Sequence, residues 1–325
     1  MAGLVCEDVE SGRRFRVRAR SVVNATGVWV DDLRQMDGEA IGRPVKPIVA
    51  PSQGVHIVVD REFLPADHAL MVPKTADGRV LFAVPWLGKL ILGTTDSPRQ
   101  DVVREPEPFR EEVDFILQES ARYLTRAPRA ADIRSIWVGL RPLVKPQDDD
   151  GENTKKISRE HTVMASKTGL VTVTGGKWTT YRAMSEDVLA ECFQIGRLPS
   201  RPAGVTVNLP LVGAPAEAAV THSMNQSQGL HSYGTDAAAV AALPGAQNWL
   251  MDGLSEAMVR FAARFEYART VEDMLARRSR LLFLDARKAA EIAPRVAAIL
   301  TEELGQDVYL NDFLALTRQY LPAQG

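Results

Sequence analysis

A double glycine followed by a lysine is the segment of this sequence best suited to bind an anion or a polarised ring. The stretch TVTGGKWTTYRAM, residues 172–184, has the pattern of a strand end, a two-glycine turn and a helix start. Gly175 and Gly176 allow the backbone to approach a ligand, and the first N–H groups of the following helix favour partial negative charge. Lys177 adds a cation inside the turn. The alternative is a plain strand-to-helix turn capped by Thr179.

Two arginines occupy comparable settings. Arg141 lies in WVGLRPLV, where an apolar strand runs into a proline, and Arg159 lies in ISREHTV. An arginine at the end of a buried strand is costly unless it is paired, and a bidentate anion is one natural partner. A structural salt bridge to a carboxylate explains either arginine equally well, so the sequence leaves both interpretations open.

Histidines supply the candidate bases. His56, in SQGVHIVV, sits on an alternating strand behind a glycine, where a lone histidine is usually structural. It becomes a candidate if the arginines bind a carbinol substrate, because removal of hydride from a carbinol requires a base on its hydroxyl group. His161 is the alternative base. The sequence contains no HExxH or paired CxxC spacing, so no metal site is predicted.

The composition is that of an ordinary globular protein. The 325 residues are 45% hydrophobic and 25% charged, which predicts a folded chain long enough for two domains. A net charge of −2 provides no concentrated positive field, so no nucleic-acid partner is expected. Two cysteines, Cys6 and Cys192, favour a reducing compartment and hence a cytoplasmic protein. No run approaches the roughly 18 apolar residues of a membrane-spanning helix.

Strand and helix patterns alternate in a way that can position these residues. SVVNATGVWVDDLRQM, residues 21–36, predicts a short strand, a glycine and a helix start, and its strand is expected to lie parallel to the one before the double glycine. A β-hairpin is predicted ahead of it at residues 4–20, and residues 44–98 have the pattern of an antiparallel meander. Residues 235–320 are almost wholly helical in pattern, with TVEDMLARRSRLLFL as the clearest amphipathic stretch.

Several of these segments, taken in order along the chain, resemble the FAD-dependent, quinone-linked glycerol-3-phosphate dehydrogenase family, a member of the D-amino-acid-oxidase-like flavoprotein class. The segments are SVVNATGVWVDDL, SQGVHIVV, FAVPW followed by LGTTDSP, VGLRPLV, SREH, TGGKWTTYRAM and EDMLARRSRLLFL. The resemblance extends from about residue 3 to about residue 310. GGKWTTYR and LARRSRLLFL are the specific blocks, whereas ATG and GTTD alone are not.

The resemblance implies FAD as the cofactor, with the double-glycine turn against the flavin ring. The residues implied to contact FAD are Ala25, Gly27, Gly175, Gly176, Lys177, Trp178 and Thr179. By the same resemblance, Arg141 and Arg159 neutralise the substrate phosphate and His56 takes the hydroxyl proton, while Lys177 polarises the substrate oxygen or the flavin edge.

The reaction that the resemblance implies is oxidation of sn-glycerol 3-phosphate to dihydroxyacetone phosphate. Hydride passes to FAD and electrons pass on to a membrane quinone. The amphipathic faces of the C-terminal helices suit packing first, and also a homodimer or a peripheral position on the inner face of the cytoplasmic membrane. A non-catalytic fragment that binds a phosphate ester or a partner, and a related FAD-dependent oxidase, are the alternative functions.

The sequence departs from the family at its start. Family members begin with a strand and a GxGxxG loop that holds the FAD pyrophosphate, and no GxGxxG occurs in this sequence. A truncated form is the first explanation expected, ahead of a split enzyme whose N-terminal FAD-binding part is a separate chain, and ahead of a chain adapted to another use.

The predicted fold is α/β (α+β). It consists of the remainder of an FAD-binding Rossmann-like domain with an inserted antiparallel-sheet substrate domain and a C-terminal all-helical domain. The predicted boundaries are 1–40 and 160–195 for the partial FAD-binding domain, 41–159 for the substrate-binding domain, 196–215 for a linker and 216–325 for the helical domain.

Overall fold

A computed structural model describes residues 3–76, 78–145, 160–215 and 222–322. The chain divides into two compact units. The first unit comprises residues 1–54, 96–106 and 139–209, and the second unit comprises residues 55–95, 107–138 and 210–325. The domain boundaries predicted from the sequence stay a prediction.

Strands occur in both units. In chain order, the strands of the described residues are β1 (Gly3–Glu7), β2 (Arg14–Arg18), β3 (Val22–Asn24), β4 (Val49–Asp60), β5 (Leu70–Val72), β6 (Leu81–Trp86), β7 (Lys89–Gly93), β8 (Ser97–Pro98), β9 (Ser135–Val144), β10 (His161–Ala165), β11 (Leu170–Gly175), β12 (Trp249–Met251) and β13 (Leu254–Ser255).

Helices are concentrated in the C-terminal third of the described chain. They are α1 (Val30–Glu39), α2 (Arg110–Ser120), α3 (Tyr181–Gln194), α4 (Ala237–Ala241), α5 (Glu256–Phe265), α6 (Leu281–Leu284), α7 (Ala286–Leu304) and α8 (Leu310–Gln319). None of the helices in the described residues combines the length and apolarity needed to cross a bilayer.

The first unit contains the predicted parallel strand pair. Strand β11 pairs in parallel with β3 and antiparallel with β10, so the sheet order is β10-β11-β3. Val171 and Val173 of β11 are buried against Val188 and Cys192 of α3. Each strand is followed by a helix, α1 after β3 and α3 after β11, as the sequence predicts. The predicted β-hairpin is also present, because β1 and β2 pair antiparallel.

An antiparallel sheet of six strands follows. Strands β4 to β8 lie within residues 44–98, where an antiparallel meander is predicted, but β9 lies outside that range and β4 lies between β7 and β8, so the strands are not in meander order. Its order is β5-β6-β7-β4-β8, and β9 also pairs with β4. On β4 the residues Val55, Ile57 and Val59 alternate and are completely buried, as a strand with one face on a core requires. They pack with residues of β7 and with Ile116 of α2.

The C-terminal helices of the second unit form the largest apolar cluster, which is built around α5, α7 and α8. Helix α7 buries Ala289, Ile292, Ala293 and Val296, at the i, i+3, i+4, i+7 spacing of one helical face. Helical structure is confirmed here, but the expected continuous amphipathic stretch is interrupted. A π-helical turn spans Asp273–Arg278, and a left-handed residue then separates it from the short helix α6.

An ion-pair network joins three strands of the second unit to the start of helix α7. Asp60 at the end of β4 accepts hydrogen bonds from Lys89 Nζ at 2.7 Å and from Arg134 Nε at 3.0 Å. Lys89 also lies 3.6 Å from Asp285, which caps α7 by accepting from the backbone N–H of Lys288. Burial alone would raise the pKa of the Asp60 carboxyl, but the bonds from Arg134 and Lys89 together outweigh burial and the pKa is lowered.

Replacing Asp60 by Asn is expected to lower the free energy of unfolding by about 1–3 kcal/mol at neutral pH, because two cations lose their carboxylate. A folded-state pKa below the unfolded value means that the wild-type advantage is complete above about pH 4 and is lost as pH falls through the folded-state pKa. Urea unfolding at several pH values should therefore show the two proteins converging in acid. Asp114→Asn, which removes an exposed ion pair with Arg110, is the control and should change little; an equal loss in both variants would contradict the prediction.

Candidate functional site

A cavity of about 950 Å³ lies in the first unit at the carboxyl ends of strands β3 and β11. Six of the residues predicted to form a binding site line it: Ala25, Arg141, Gly175, Gly176, Lys177 and Trp178. Positions after the carboxyl ends of parallel strands are where open α/β sheets bind their ligands. The structure therefore brings together the strand-end glycines, two of the predicted cations and an exposed aromatic side chain.

The double glycine is required by both conformation and space. Gly175 has φ 76° and Gly176 has φ 77°, in the left-handed region that favours glycine. A Cβ on Gly175 would lie 2.6 Å from the carbonyl oxygen of Glu160, and a Cβ on Gly176 would lie 2.8 Å from Met184 Sδ. The turn therefore reverses the chain tightly and leaves bare backbone at the cavity.

Helix α3 begins just beyond the turn. A 3-10 turn spans Trp178–Thr180, and the helix starts at Tyr181, two residues after the start predicted near Thr179. The Thr180 hydroxyl donates to the carbonyl oxygen of Lys177 at 2.9 Å and makes no capping bond. The side chain of Lys177 is exposed, and its ammonium group forms no hydrogen bond or ion pair with any described residue, so its charge is available to a ligand in the cavity.

One wall of the cavity is apolar and open to solvent. Trp178 is 86% exposed, Tyr181 is 50% exposed and Val23 is 42% exposed. The rings of Trp178 and Tyr181 stack with centroids 5.6 Å apart. An open apolar surface of this kind marks a binding site for an apolar ligand or a protein partner. Together with the glycine backbone of the turn and the ammonium group of Lys177, this apolar wall suits a planar ring that carries partial negative charge on one side.

Arg141 is held by two features of the first unit that the sequence did not reveal. Its guanidinium occupies the space over Gly54 on β4, because a Cβ there would overlap Nη2. Asp96 lies 3.5 Å from Nη1, and the Ser52 hydroxyl donates to the same carboxylate. Both interpretations of Arg141 are thus partly met: it has a carboxylate partner at long range, and it also lines the cavity.

Other predicted site residues lie elsewhere. Arg159 is outside the described residues. Gly27 and Thr179 are not among the residues that line the cavity. His161 stands opposite Gly175 in the sheet register, and its Nε2 is 2.7 Å from Asp187 Oδ2 on helix α3. In the described structure this histidine connects the sheet to the helix.

His56 lies in the second unit, where it lines a hollow of about 260 Å³ with aromatic and aliphatic walls. Its imidazole stacks on the indole of Trp137, with ring centroids 4.2 Å apart and an angle of 16° between the planes. Gly93 is its partner across strands β4 and β7. The hollow contains a titratable group, an aromatic face and no other charged side chain among its lining residues.

Sequence reasoning missed the residues that hold the predicted ones. Gly54 and Gly93 occur inside quoted motifs, directly in SQGVHIVV and LGTTD, but nothing in the sequence shows which side chain fills the space above each glycine. Asp96 is the acid of LGTTD, and its pairing with Arg141 joins positions 45 residues apart. Such pairs become visible only when the tertiary structure places the strands side by side.

Two family models match the sequence. Residues 3–182 match the model described as FAD dependent oxidoreductase, and residues 204–309 match the C-terminal domain of alpha-glycerophosphate oxidase.

Curated relatives and one solved structure are similar to most of this chain. The mitochondrial glycerol-3-phosphate dehydrogenase of Rattus norvegicus is 38% identical over 327 residues, which cover 94% of this chain and 44% of the relative. The corresponding protein SDP6 of Arabidopsis thaliana is 38% identical over 90% of this chain and 50% of its own length. The chain thus spans about half the length of these relatives. The glycerol-3-phosphate dehydrogenase from Bacillus halodurans, complexed with FAD, has the same fold with a TM-score of 0.75, at 24% identity over 100% of this chain and 67% of that one.

Replacing Gly176 by Ala should destabilise the first unit more than the same change at Gly12. Both glycines have positive φ, 77° and 68°, so both variants lose about 1–2 kcal/mol through the left-handed conformation. Only at Gly176 does a Cβ also meet neighbouring side chains, since nothing lies within 4 Å at Gly12. Thermal unfolding measures the difference, and equal melting temperatures in the two variants would show that the turn can widen without cost.

Proposed function

The chain belongs to the FAD-dependent oxidoreductase family, whose model matches residues 3–182, and from that premise we propose that it oxidises sn-glycerol 3-phosphate to dihydroxyacetone phosphate. The observation that carries the proposal is the cavity of the first unit, where Arg141 and Lys177 accompany the bare turn at the strand ends. The names of the relatives that share 38% identity with this chain support the choice of substrate.

The cavity suits the ring end of FAD. Gly175 and Gly176 present bare backbone, and Trp178 with Tyr181 presents an apolar surface. FAD, when bound, supplies the acceptor for the hydride that leaves carbon 2 of the substrate. Backbone N–H groups at the start of α3 would favour electron density on the adjacent edge of the ring.

The pyrophosphate of FAD needs another source of backbone donors. No GxGxxG loop occurs in this sequence, and strand β3 has only β11 as a neighbour among the described strands. An open strand edge beside an exposed apolar wall is suited to a further strand. We therefore extend the proposal to an FAD-binding segment that carries a GxGxxG loop and adds to this edge.

Four residues of this chain have roles in charge neutralisation or proton transfer in the proposal. In the proposal Arg141 binds the substrate phosphate through its planar guanidinium fork, together with Arg159, and Lys177 stabilises negative charge on the substrate oxygen. Loss of hydride from carbon 2 leaves the hydroxyl strongly acidic, so a base must take its proton in the same step. His56 is the proposed base, since a neutral imidazole accepts a proton near neutral pH.

A quinone is the proposed final electron acceptor. The homodimer stays a prediction. The relatives named as dehydrogenases favour an acceptor other than oxygen, whereas the C-terminal family model is named after an oxidase. Peroxide formation during turnover distinguishes the two. Substrate-dependent reduction of a soluble quinone analogue without peroxide supports the proposal, and stoichiometric peroxide identifies an oxidase.

FAD binding is expected to become tight only when a GxGxxG segment is present. The measurement is flavin retained after gel filtration, with and without the separately expressed N-terminal FAD-binding part of a relative. Bound flavin should quench the fluorescence of Trp178, so Trp178→Phe loses that quenching, while Trp249→Phe, outside the cavity, keeps it. A protein that retains no flavin under either condition would favour the non-catalytic alternative.

Replacing Arg141 by Lys should raise KM for glycerol 3-phosphate by about tenfold or more in the assembled enzyme, because a point charge replaces a bidentate fork. The side chain of Arg141 is 26% exposed, so the variant should still fold. Arg197→Lys serves as the control, since Arg197 contacts the carbonyl oxygen of Thr168 and does not line the cavity. Steady-state kinetics decide the matter: an unchanged KM in Arg141→Lys removes Arg141 from the phosphate site.

A further inference from the structure

A row of aromatic rings in the second unit connects His56 to the C-terminal helices. His56 stacks on Trp137 with centroids 4.2 Å apart, Trp137 meets Phe283 edge-on at 5.9 Å, and Phe283 meets Tyr320 at 5.6 Å. Phe283 belongs to helix α6, and Tyr320 follows helix α8. The proposed base is thus the first member of a contact chain that ends in the helical region.

The sheet leaves a space for the imidazole over strand β7. Phe82 on β6, Gly93 on β7 and His56 on β4 are register partners across the three strands. Side chains at paired positions lie on the same face of a sheet, about 5 Å apart. A Cβ at Gly93 would approach His56 Cδ2 to 2.5 Å. Glycine at this position therefore lets the imidazole lie over the backbone of β7.

Trp137 restrains the ring from strand β9. An imidazole with its face on an indole cannot rotate without losing the stacking contact. The indole face carries negative electrostatic potential, so it also favours the imidazolium that forms when His56 accepts a proton. The hollow around the pair is lined by Phe82, Val84, Trp86 and Ile91, none of which carries a charge.

The helical region in turn fixes Trp137. The Ser135 hydroxyl donates to the carbonyl oxygen of Leu282 at 2.8 Å, and the backbone N–H of Ile136 donates to the carbonyl oxygen of Tyr320 at 2.7 Å. Ala286 N–H donates to the carbonyl oxygen of Arg134 at 3.1 Å. Two backbone bonds, at Arg134 and Ile136, and one side-chain bond, at Ser135, thus precede Trp137, whose indole then contacts Phe283.

We infer that the C-terminal helices act on the reaction through this aromatic clamp, defined as Trp137, Phe283 and Tyr320, which positions the imidazole of His56 to take the substrate proton. Trp137 and Phe283 are positioning residues, because Trp137 stacks on the base and Phe283 contacts Trp137. The catalytic part of this inference rests on the proposed function. The clamp itself rests on ring geometry within the second unit alone.

The clamp can be tested in the chain without cofactor or substrate. Uniform ¹³C labelling of histidine gives ring signals from five residues, and His56→Asn identifies the signal of His56. Its ring protons should be shifted upfield by the indole. Trp137→Leu should abolish this shift, Trp137→Phe should retain part of it, and Phe283→Leu should reduce it.

Phe313→Leu is the matched control. Phe313 is 1% exposed in the same helical core and is not part of the clamp. Both Phe→Leu variants should lower the melting temperature, but only Phe283→Leu should move the His56 signal. A His56 signal that is identical in wild type and Phe283→Leu, or that moves equally in Phe313→Leu, overturns the clamp.

Kinetics of the FAD-loaded assembly test the catalytic consequence. Phe283→Leu should lower kcat by about tenfold with KM nearly unchanged, because a displaced base affects proton transfer and not phosphate binding. Phe313→Leu should keep the wild-type kcat, and Trp137→Phe should recover activity lost in Trp137→Leu. Equal kcat values in Phe283→Leu and wild type refute the positioning role. A wild type that never turns over contradicts the proposed function instead, and the histidine signal still decides the clamp.

Discussion

Two of the candidate functional side chains, Arg141 and His56, lie in spaces where a neighbouring strand has no side chain. In the first unit the guanidinium of Arg141 lies over Gly54, and in the second unit the imidazole of His56 lies over Gly93. Cross-strand neighbours in a sheet are so close that a methyl group at either glycine would occupy the place of the functional group. Each of these two side chains is thus packed against strand backbone. Its conformational freedom is already restricted in the folded protein, so a ligand does not have to order it on binding.

The two cations that line the cavity, Arg141 and Lys177, differ in whether a carboxylate lies beside them. Arg141 has Asp96 at 3.5 Å, a separation at which attraction persists but a strong hydrogen bond does not. The ammonium group of Lys177 is exposed and has no hydrogen-bond or ion-pair partner among the described residues. A paired guanidinium is held in place before a ligand arrives, whereas an exposed ammonium can move toward one. The two cations therefore suit different tasks, the first a fixed phosphate and the second a charge that develops during reaction.

The C-terminal helical region can influence the alignment of His56 because both lie in the second unit. Its core is apolar, and the described residues contain no group of side chains that could hold a metal ion. Hydrogen bonds to residues 134–136, at the start of β9, and the ion pairs of Asp60, Lys89 and Asp285 attach it to the sheet that carries His56. A region that packs behind a base can determine how precisely the base is aligned, and small displacements of a base reduce rates strongly.

The sequence by itself determined the local elements and much of the cavity. Hydrophobic alternation identified the strands, and the double glycine with Lys177 identified the turn, because both signals depend on neighbours within a few residues. Interruption of the TVEDMLARRSRLLFL helix at Arg280, with φ 55°, was not predictable, since the pattern is continuous across it. Only the tertiary structure decided that Asp96 pairs with Arg141 and that Trp137 and Phe283 clamp His56. Those contacts join residues that are distant along the chain. The register in which the strands pair brings them together, and sequence patterns over a few residues do not specify that register.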